Sequence, residues 1–226
     1  MASVIVLAAG NSTRMGKGIN KQLLTIGEKP LLIHTLSAFA MDEISEIIIV
    51  TRKEEITLIS DMVKEYGIKK IKAIVAGGAT RQESVCCGLA QVEDHKVLIH
   101  DGARPFVSKK EILAVLGALA TYQGAIPAVP VKDTIKAMED GVVKETLPRE
   151  SLMAVQTPQG FHTDVIRMAH QKAKADGVAV TDDASVLEHA KIPVKIVEGD
   201  YRNIKITTPE DMLFANAIYK ENEVGR

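Results

Sequence analysis

A chain of 226 residues that is 46% hydrophobic can bury a sizeable core, and its length suits one large domain. A formal net charge of −1 supplies no overall attraction for nucleic acid or an anionic membrane, so an anionic ligand has to be held by locally gathered lysines and arginines. Two adjacent cysteines, Cys86 and Cys87, cannot form a disulfide framework, and no Cys/His spacing matches a structural zinc site, which points to a reducing compartment.

The first apolar run, residues 4–9, is short, has no basic residues before it and meets glycine at once, unlike a signal or membrane segment, so the expectation is a cytoplasmic protein. Residues 3–8 instead predict a buried strand. A helical stripe follows at Leu32, Ile33 and Leu36, then a strand at 47–50, a second stripe at Ile56, Ile59 and Val63, and strands at 71–75 and 97–100. Ile112, Val115, Leu116 and Leu119 mark another helix, before a strand at 125–129. The strands are continuous Val- and Ile-rich runs rather than alternating ones, as suits strands covered on both faces. Alternating strand and helix predicts an α/β fold: an open, mostly parallel Rossmann-like sheet with helices on both faces and ligands beyond the carboxyl ends of its strands.

The rhythm breaks over residues 131–161. Residues 133–137 and 142–146 flank Glu139-Asp140-Gly141, a hairpin signal, and the segment reads as an arm inserted into a single domain spanning 1–226. A lone hairpin is marginal in water, so the arm is expected to pack on a second subunit of a homodimer. The pattern resumes with a helix over 163–175, a strand at 194–197 and a last helix that Thr208 caps with Pro209 at its first position.

The loop after the first strand, Ala8-Ala9-Gly10-Asn11-Ser12-Thr13-Arg14-Met15-Gly16-Lys17-Gly18-Ile19-Asn20-Lys21-Gln22, is rich in cations and glycines. Glycine lets backbone N–H groups approach phosphates, and the cations neutralise their charge, so a nucleoside triphosphate fits; a solvated surface loop is the competing reading. The dinucleotide fingerprint fails, because Ser12 and Met15 stand where its later glycines belong. The P-loop fails too: five residues separate Gly10 from Gly16, and Gly18 follows Lys17.

This loop resembles the nucleotidyltransferase signature Ala-Ala-Gly-x-Gly-x-Arg-Met followed by Lys-Gln. The similarity extends through Gly77-Gly78 with Arg81 and Ser84-Val85, residues His100 to Pro105, residues Val131 to Thr134, Arg149, residues Gln156 to Gln159, residues Thr181 to Ser185, and Asn203-Ile-Lys205. By these motifs the chain resembles the 2-C-methyl-D-erythritol 4-phosphate cytidylyltransferase family of the non-mevalonate isoprenoid pathway. Ser12 departs from the family's usual glycine, and Ala79 stands where some relatives have Asp. The resemblance implies a transfer from CTP to a small polyol phosphate whose phosphate attacks the α-phosphorus and expels pyrophosphate. A phosphate monoester is largely a dianion at neutral pH, so no general base is required and the burden falls on positioning and charge stabilisation.

By the same resemblance Arg14 and Lys21 contact the triphosphate, and Lys205 faces the substrate phosphate or transition state; surface ion pairs and a snorkelling lysine are the competing readings. Arg149 and Thr134 are to hold the polyol phosphate across the dimer interface, with Arg104, Thr157 and Thr181 as further contacts, although Thr181 could begin the following helix and Arg104 could support Asp101. Ala8, Ala9, Gly10 and Asn11 are to meet the nucleotide on one side, Gly77, Gly78 and Ser84 on the other. Asp101 ends a buried strand, where it can bind ribose hydroxyls, hold Mg2+ or cap a turn. His100 reads as structural. Ribitol-5-phosphate cytidylyltransferase is the nearest rival, disfavoured by Ala103 and by residues Thr181 to Ser185; a non-catalytic nucleotide-binding module is the rival from another class.

Overall fold

The structure, a computed structural model, describes residues 1–10, 15 and 21–224. In chain order these form β1 (Ala2–Leu7), β2 (Thr25–Ile26), β3 (Lys29–Pro30), α1 (Leu31–Ser37), β4 (Ile44–Thr51), α2 (Ile56–Glu65), β5 (Ile71–Ala76), α3 (Arg81–Leu89), β6 (Lys96–Asp101), α4 (Lys109–Ala118) and β7 (Gly124–Pro130). There follow β8 (Lys136–Glu139), β9 (Val142–Thr146), β10 (Met153–Val155), β11 (Gln159–His162), α5 (Thr163–Ala175), α6 (Ala184–His189), β12 (Val194–Glu198) and α7 (Pro209–Val224).

An eight-stranded sheet forms the centre. β5, β4, β1 and β6 run parallel, as do β7 and β12. The Val- and Ile-rich runs are continuous because each strand feeds two cores. Val4, Val6, Ile47, Ile49 and Leu98 pack under α1, α2 and α4, whereas Ile5, Ile48, Val50, Val97 and Ile99 pack under α3, α5 and α6. Ile26, Leu31, Ala103, Ile206 and Ala215 make a third cluster that fastens α7 beside β2.

Two features depart from the sequence reading. Residues 153–162 belong to the sheet and not to the arm: β10 and β11 both run antiparallel to β7, and β11 fills the gap between β7 and β6. Because β12 accompanies β7 along residues 124–128, β10 and β11 share its opposite edge, where Val155 faces Ala128 and Gly160 faces Ala125. These strands are only three and four residues long, too short to show a period. The projecting arm is the β8–β9 hairpin, turned by Asp140 and Gly141 at φ 48° and 80°, the signs a two-residue hairpin turn requires. Its first strand begins at Lys136, so residues 133–135 lie outside it.

His100 is fully buried in β6, edge-on to Phe39 with ring centroids 5.0 Å apart. Its Nε2 lies 3.0 Å from the Arg104 carbonyl and must carry the hydrogen, leaving Nδ1 to accept from the Thr157 hydroxyl at 3.0 Å. Burial lowers its pKa to about 4, so the folded protein keeps a neutral ring that the unfolded chain protonates below its ordinary value near 6.5. The stability this group contributes is complete above that ordinary value and is lost as pH falls from it toward about 4. Between about pH 7 and about pH 5 the loss traceable to His100 is about 2 kcal/mol. His100→Gln preserves one donor and one acceptor without titrating, so urea unfolding at the two pH values should show the variant losing less stability by that amount; equal losses in both proteins would refute the assignment.

Candidate active site

β1 ends at Leu7 directly beside Asp101, the last residue of β6. Beyond these two carboxyl ends opens a cleft of about 310 Å3. Ala9, Gly10, Lys21 and Gln22 line it from the chain after β1, residues 78–81 and Ser84 from the loop after β5 and the start of α3, Asp101 and Ala103 from the end of β6, and Lys205 and Thr207 from the segment before α7. This is where an open α/β sheet places ligands.

Asp101 is 8% exposed. Its Oδ2 lies 2.8 Å from Lys205 Nζ and 3.7 Å from Arg104 Nε, and its Oδ1 is 3.9 Å from Arg81 Nε. Burial pushes the carboxyl up, but Lys205, Arg81 and Arg104 together outweigh it and hold Asp101 well below the usual carboxylate range. Arg81 is anchored from behind by Asp183 at 2.7 Å, whose own carboxyl burial pushes up against the pull of Arg81. Lys21 donates to the Ile206 carbonyl at 3.3 Å, next to Lys205 in the chain. The described lining residues therefore include three cations, Lys21, Arg81 and Lys205, and one carboxylate, Asp101, which leaves the cleft complementary to a polyanion.

The sheet also sets the nucleotide end. Ala8 sits behind the lining: it is 1% exposed and its N–H donates to the Val50 carbonyl at 2.7 Å, so of this stretch Ala9 and Gly10 are the residues that line the cleft. A β-carbon at Gly77 would lie 2.6 Å from Ser84 Oγ and 2.9 Å from Ala9 Cβ, so glycine is what lets the β5 loop close against the β1 loop. Gly78 and Ser84 line the cleft, with the Ser84 hydroxyl donating to the Thr80 carbonyl at 3.0 Å.

Several expected contacts lie elsewhere. Arg104 is turned behind the wall, donating to the Asn203 carbonyl at 2.7 Å. Thr157 is 5% exposed and its hydroxyl is engaged twice, accepting from the Asp101 N–H at 3.1 Å and donating to His100, so it positions Asp101 and lies outside the lining of the cleft. Thr181 is exposed outside the lining and does not begin a helix: α6 starts at Ala184, after Asp182 has accepted from the Ser185 N–H at 3.1 Å. Thr134 and Arg149 do meet, at a second hollow at the root of the arm that shares no lining residue with the cleft. Asn11 and Arg14 lie outside the described residues.

Arg81 was not among the expected contacts, yet a sequence signal places it: Thr80 and Glu83 form a capping box that starts α3 and sets Arg81 in its first turn. Its partner Asp183 is 102 residues away, and no local pattern joins the two. A resident metal does not fit. Among the described residues no group of three or more His, Cys, Asp and Glu side chains converges, and Asp101, the expected ligand, already faces three cations.

A family model described as 2-C-methyl-D-erythritol 4-phosphate cytidylyltransferase matches residues 2–221. A curated relative of that name from Halalkalibacterium halodurans is 50% identical over 223 residues, covering 98% of each chain. One from Geobacillus kaustophilus is 49% identical over 95% of each. Among solved structures, the 4-diphosphocytidyl-2C-methyl-D-erythritol synthase of Anaerococcus prevotii gives a TM-score of 0.86 at 35% identity, covering 97% of this chain and 96% of that one. The 2-C-methyl-D-erythritol 4-phosphate cytidylyltransferase of Thermus thermophilus gives 0.79 at 36% identity, covering 96% and 98%. With sequence match, fold and a cationic cleft at the strand ends in agreement, the chain belongs to the 2-C-methyl-D-erythritol 4-phosphate cytidylyltransferase family.

Proposed function

We propose that this chain is a cytidylyltransferase in which the phosphate of 2-C-methyl-D-erythritol 4-phosphate attacks the α-phosphorus of CTP, giving 4-diphosphocytidyl-2-C-methyl-D-erythritol and pyrophosphate. The observation that carries the reading is the cleft lined by Lys21, Arg81 and Lys205 and by one ionised carboxylate, Asp101, because this reaction needs held charge and not a base. One bond forms from a substrate phosphate oxygen to the α-phosphorus, and the bond to the departing pyrophosphate breaks. The dianionic substrate phosphate requires no proton removal, in keeping with a described lining that contains no histidine or cysteine. Lys205 and Lys21 stabilise the charge that builds on the phosphoryl oxygens, with Arg14 contributing from the loop after β1. Mg2+, an ion that does not need a cage of protein ligands, would be carried in by CTP as the counter-ion of its phosphates and held through the substrate's own oxygens.

Arg149 and Thr134 serve the cleft of a neighbouring subunit in a homodimer. Their separation from their own chain's cleft supports this, as do the exposed apolar side chains of the arm, Met138, Val142 and Val143. A cytoplasmic enzyme is in keeping with free Cys86 and Cys87 and with the lack, among the described residues, of any helix long and apolar enough to cross a membrane.

Pyrophosphate release with CTP should be fast with methylerythritol phosphate and slow with ribitol 5-phosphate; nucleotide binding without release would sink the reading. Lys205→Met and Arg14→Ala should each fold yet lose at least about a hundredfold in turnover, the scale of one lost transition-state contact. Lys205→Arg should recover only a minor part, since guanidinium is larger and differently directed than ammonium. Diluting the enzyme until it is monomeric should abolish turnover, and full activity in the monomer would remove Arg149 from the neighbour's site.

A further inference from the structure

We infer that Asn203 and Glu111 form a buried positioning pair that holds Lys205 at its place beside Asp101; the inference rests on the reading of Lys205 as a group of the reaction. Lys205 belongs to the segment between β12 and α7, which has no helix or strand of its own to fix it. That segment is suspended from other elements by side chains. Asn203 is completely buried and its Nδ2 donates both to Glu111 Oε1 and to the Thr157 carbonyl, each at 2.9 Å. Glu111 is 3% exposed, and its Oε1 also accepts from the Asp200 N–H at 3.3 Å. Its Oε2 takes the Ser108 N–H at 2.9 Å and the Ser108 hydroxyl at 2.8 Å, the capping box that begins α4. The Asn203 carbonyl in turn accepts from Arg104 and from Gln156 Nε2 at 3.3 Å.

Four donors thus converge on the Glu111 carboxylate, and a carboxamide cannot accept all of them, because its nitrogen would face N–H groups. The approach is close. A β-carbon at Gly199 would fall 2.2 Å from Gln156 Oε1 and 3.2 Å from the Ala128 backbone, so the chain enters this segment pressed against β7. Two residues beyond Asn203, Lys205 reaches Asp101 at 2.8 Å, while Thr157, whose carbonyl Asn203 holds, uses its hydroxyl on the Asp101 N–H. Asn203 therefore ties together the backbone that carries the ammonium and the backbone that steadies its carboxylate.

A merely structural Asn203 would affect stability alone. A positioning Asn203 affects turnover through Lys205, and Asn203→Ala should lower kcat at least about tenfold while KM for CTP changes by less than about twofold. In a Lys205→Met background the same change should cost nothing further, because no ammonium is left to place. Reductive methylation followed by peptide mass spectrometry gives a readout independent of activity: Lys205 should react several-fold faster in Asn203→Ala than in the wild type, with lysines on the arm unchanged. If Asn203→Ala does not fold, Glu111→Gln carries the same measurements. Unaltered reactivity of Lys205, or an equal loss of kcat in the presence and absence of Lys205, would overturn the pair. Full turnover in Lys205→Met would instead remove Lys205 from the reaction while leaving the methylation result to judge the geometry.

Discussion

A carboxylate at the end of a buried strand can stay ionised only if its surroundings replace the water it has lost, and at Asp101 that replacement is three cations from three different parts of the chain. Arg81 comes from the start of α3, Arg104 from the turn after β6 and Lys205 from the approach to α7. Each would repel the others without the carboxylate between them, and of the three Arg81 and Lys205 also line the cleft. The arrangement is a cationic site held together by one internal counter-ion, and most of the buried polar contacts nearby serve to keep that counter-ion still.

The support extends outward in layers. Asp101 is fixed through its N–H by Thr157, and Thr157 is fixed by a histidine kept neutral by burial and in a single tautomer by the Arg104 carbonyl. Arg81 is fixed by Asp183, and the turn before α6 is in turn fixed by Gln159, whose Oε1 accepts from the Asp183 and Ala184 N–H groups at 3.0 Å. Thr157, His100, Asp183 and Gln159 all stand outside the lining of the cleft. A charged site built for placement depends on such neighbours, since displacements of a fraction of an ångström change how charge is met.

The parallel strands, the layer of α1, α2 and α4, and α5 were legible in the sequence because continuous Val and Ile runs and helical stripes carry a local period. β10 and β11 were not, being too short to show one, and α3 was hidden by a weak apolar stripe although its Thr80 and Glu83 capping box marked its start. Of the site, Lys21, Lys205, Asp101, Ala9, Gly10, Gly78 and Ser84 converge as the motifs imply. Ala8 and Thr157 lie outside the lining of the cleft: a motif marks which residues matter without saying whether their polar atoms are already occupied. The long-range pairs, Arg81 with Asp183 and Glu111 with Asn203, leave no trace in local spacing.

The interrupted edge beside β7 constrains how this chain can vary. Between the pair Val155 and Ala128 and the pair Gly160 and Ala125, four residues on one side span two on the other, and the surplus is the loop that carries Thr157. The loop is pinned at both ends, by the pairing of Val155 before it and of Gln159 and Gly160 after it, so a residue added or removed there has to be absorbed between them. Length changes there would move Thr157 and, through it, Asp101, so the loop is constrained in length as well as in composition.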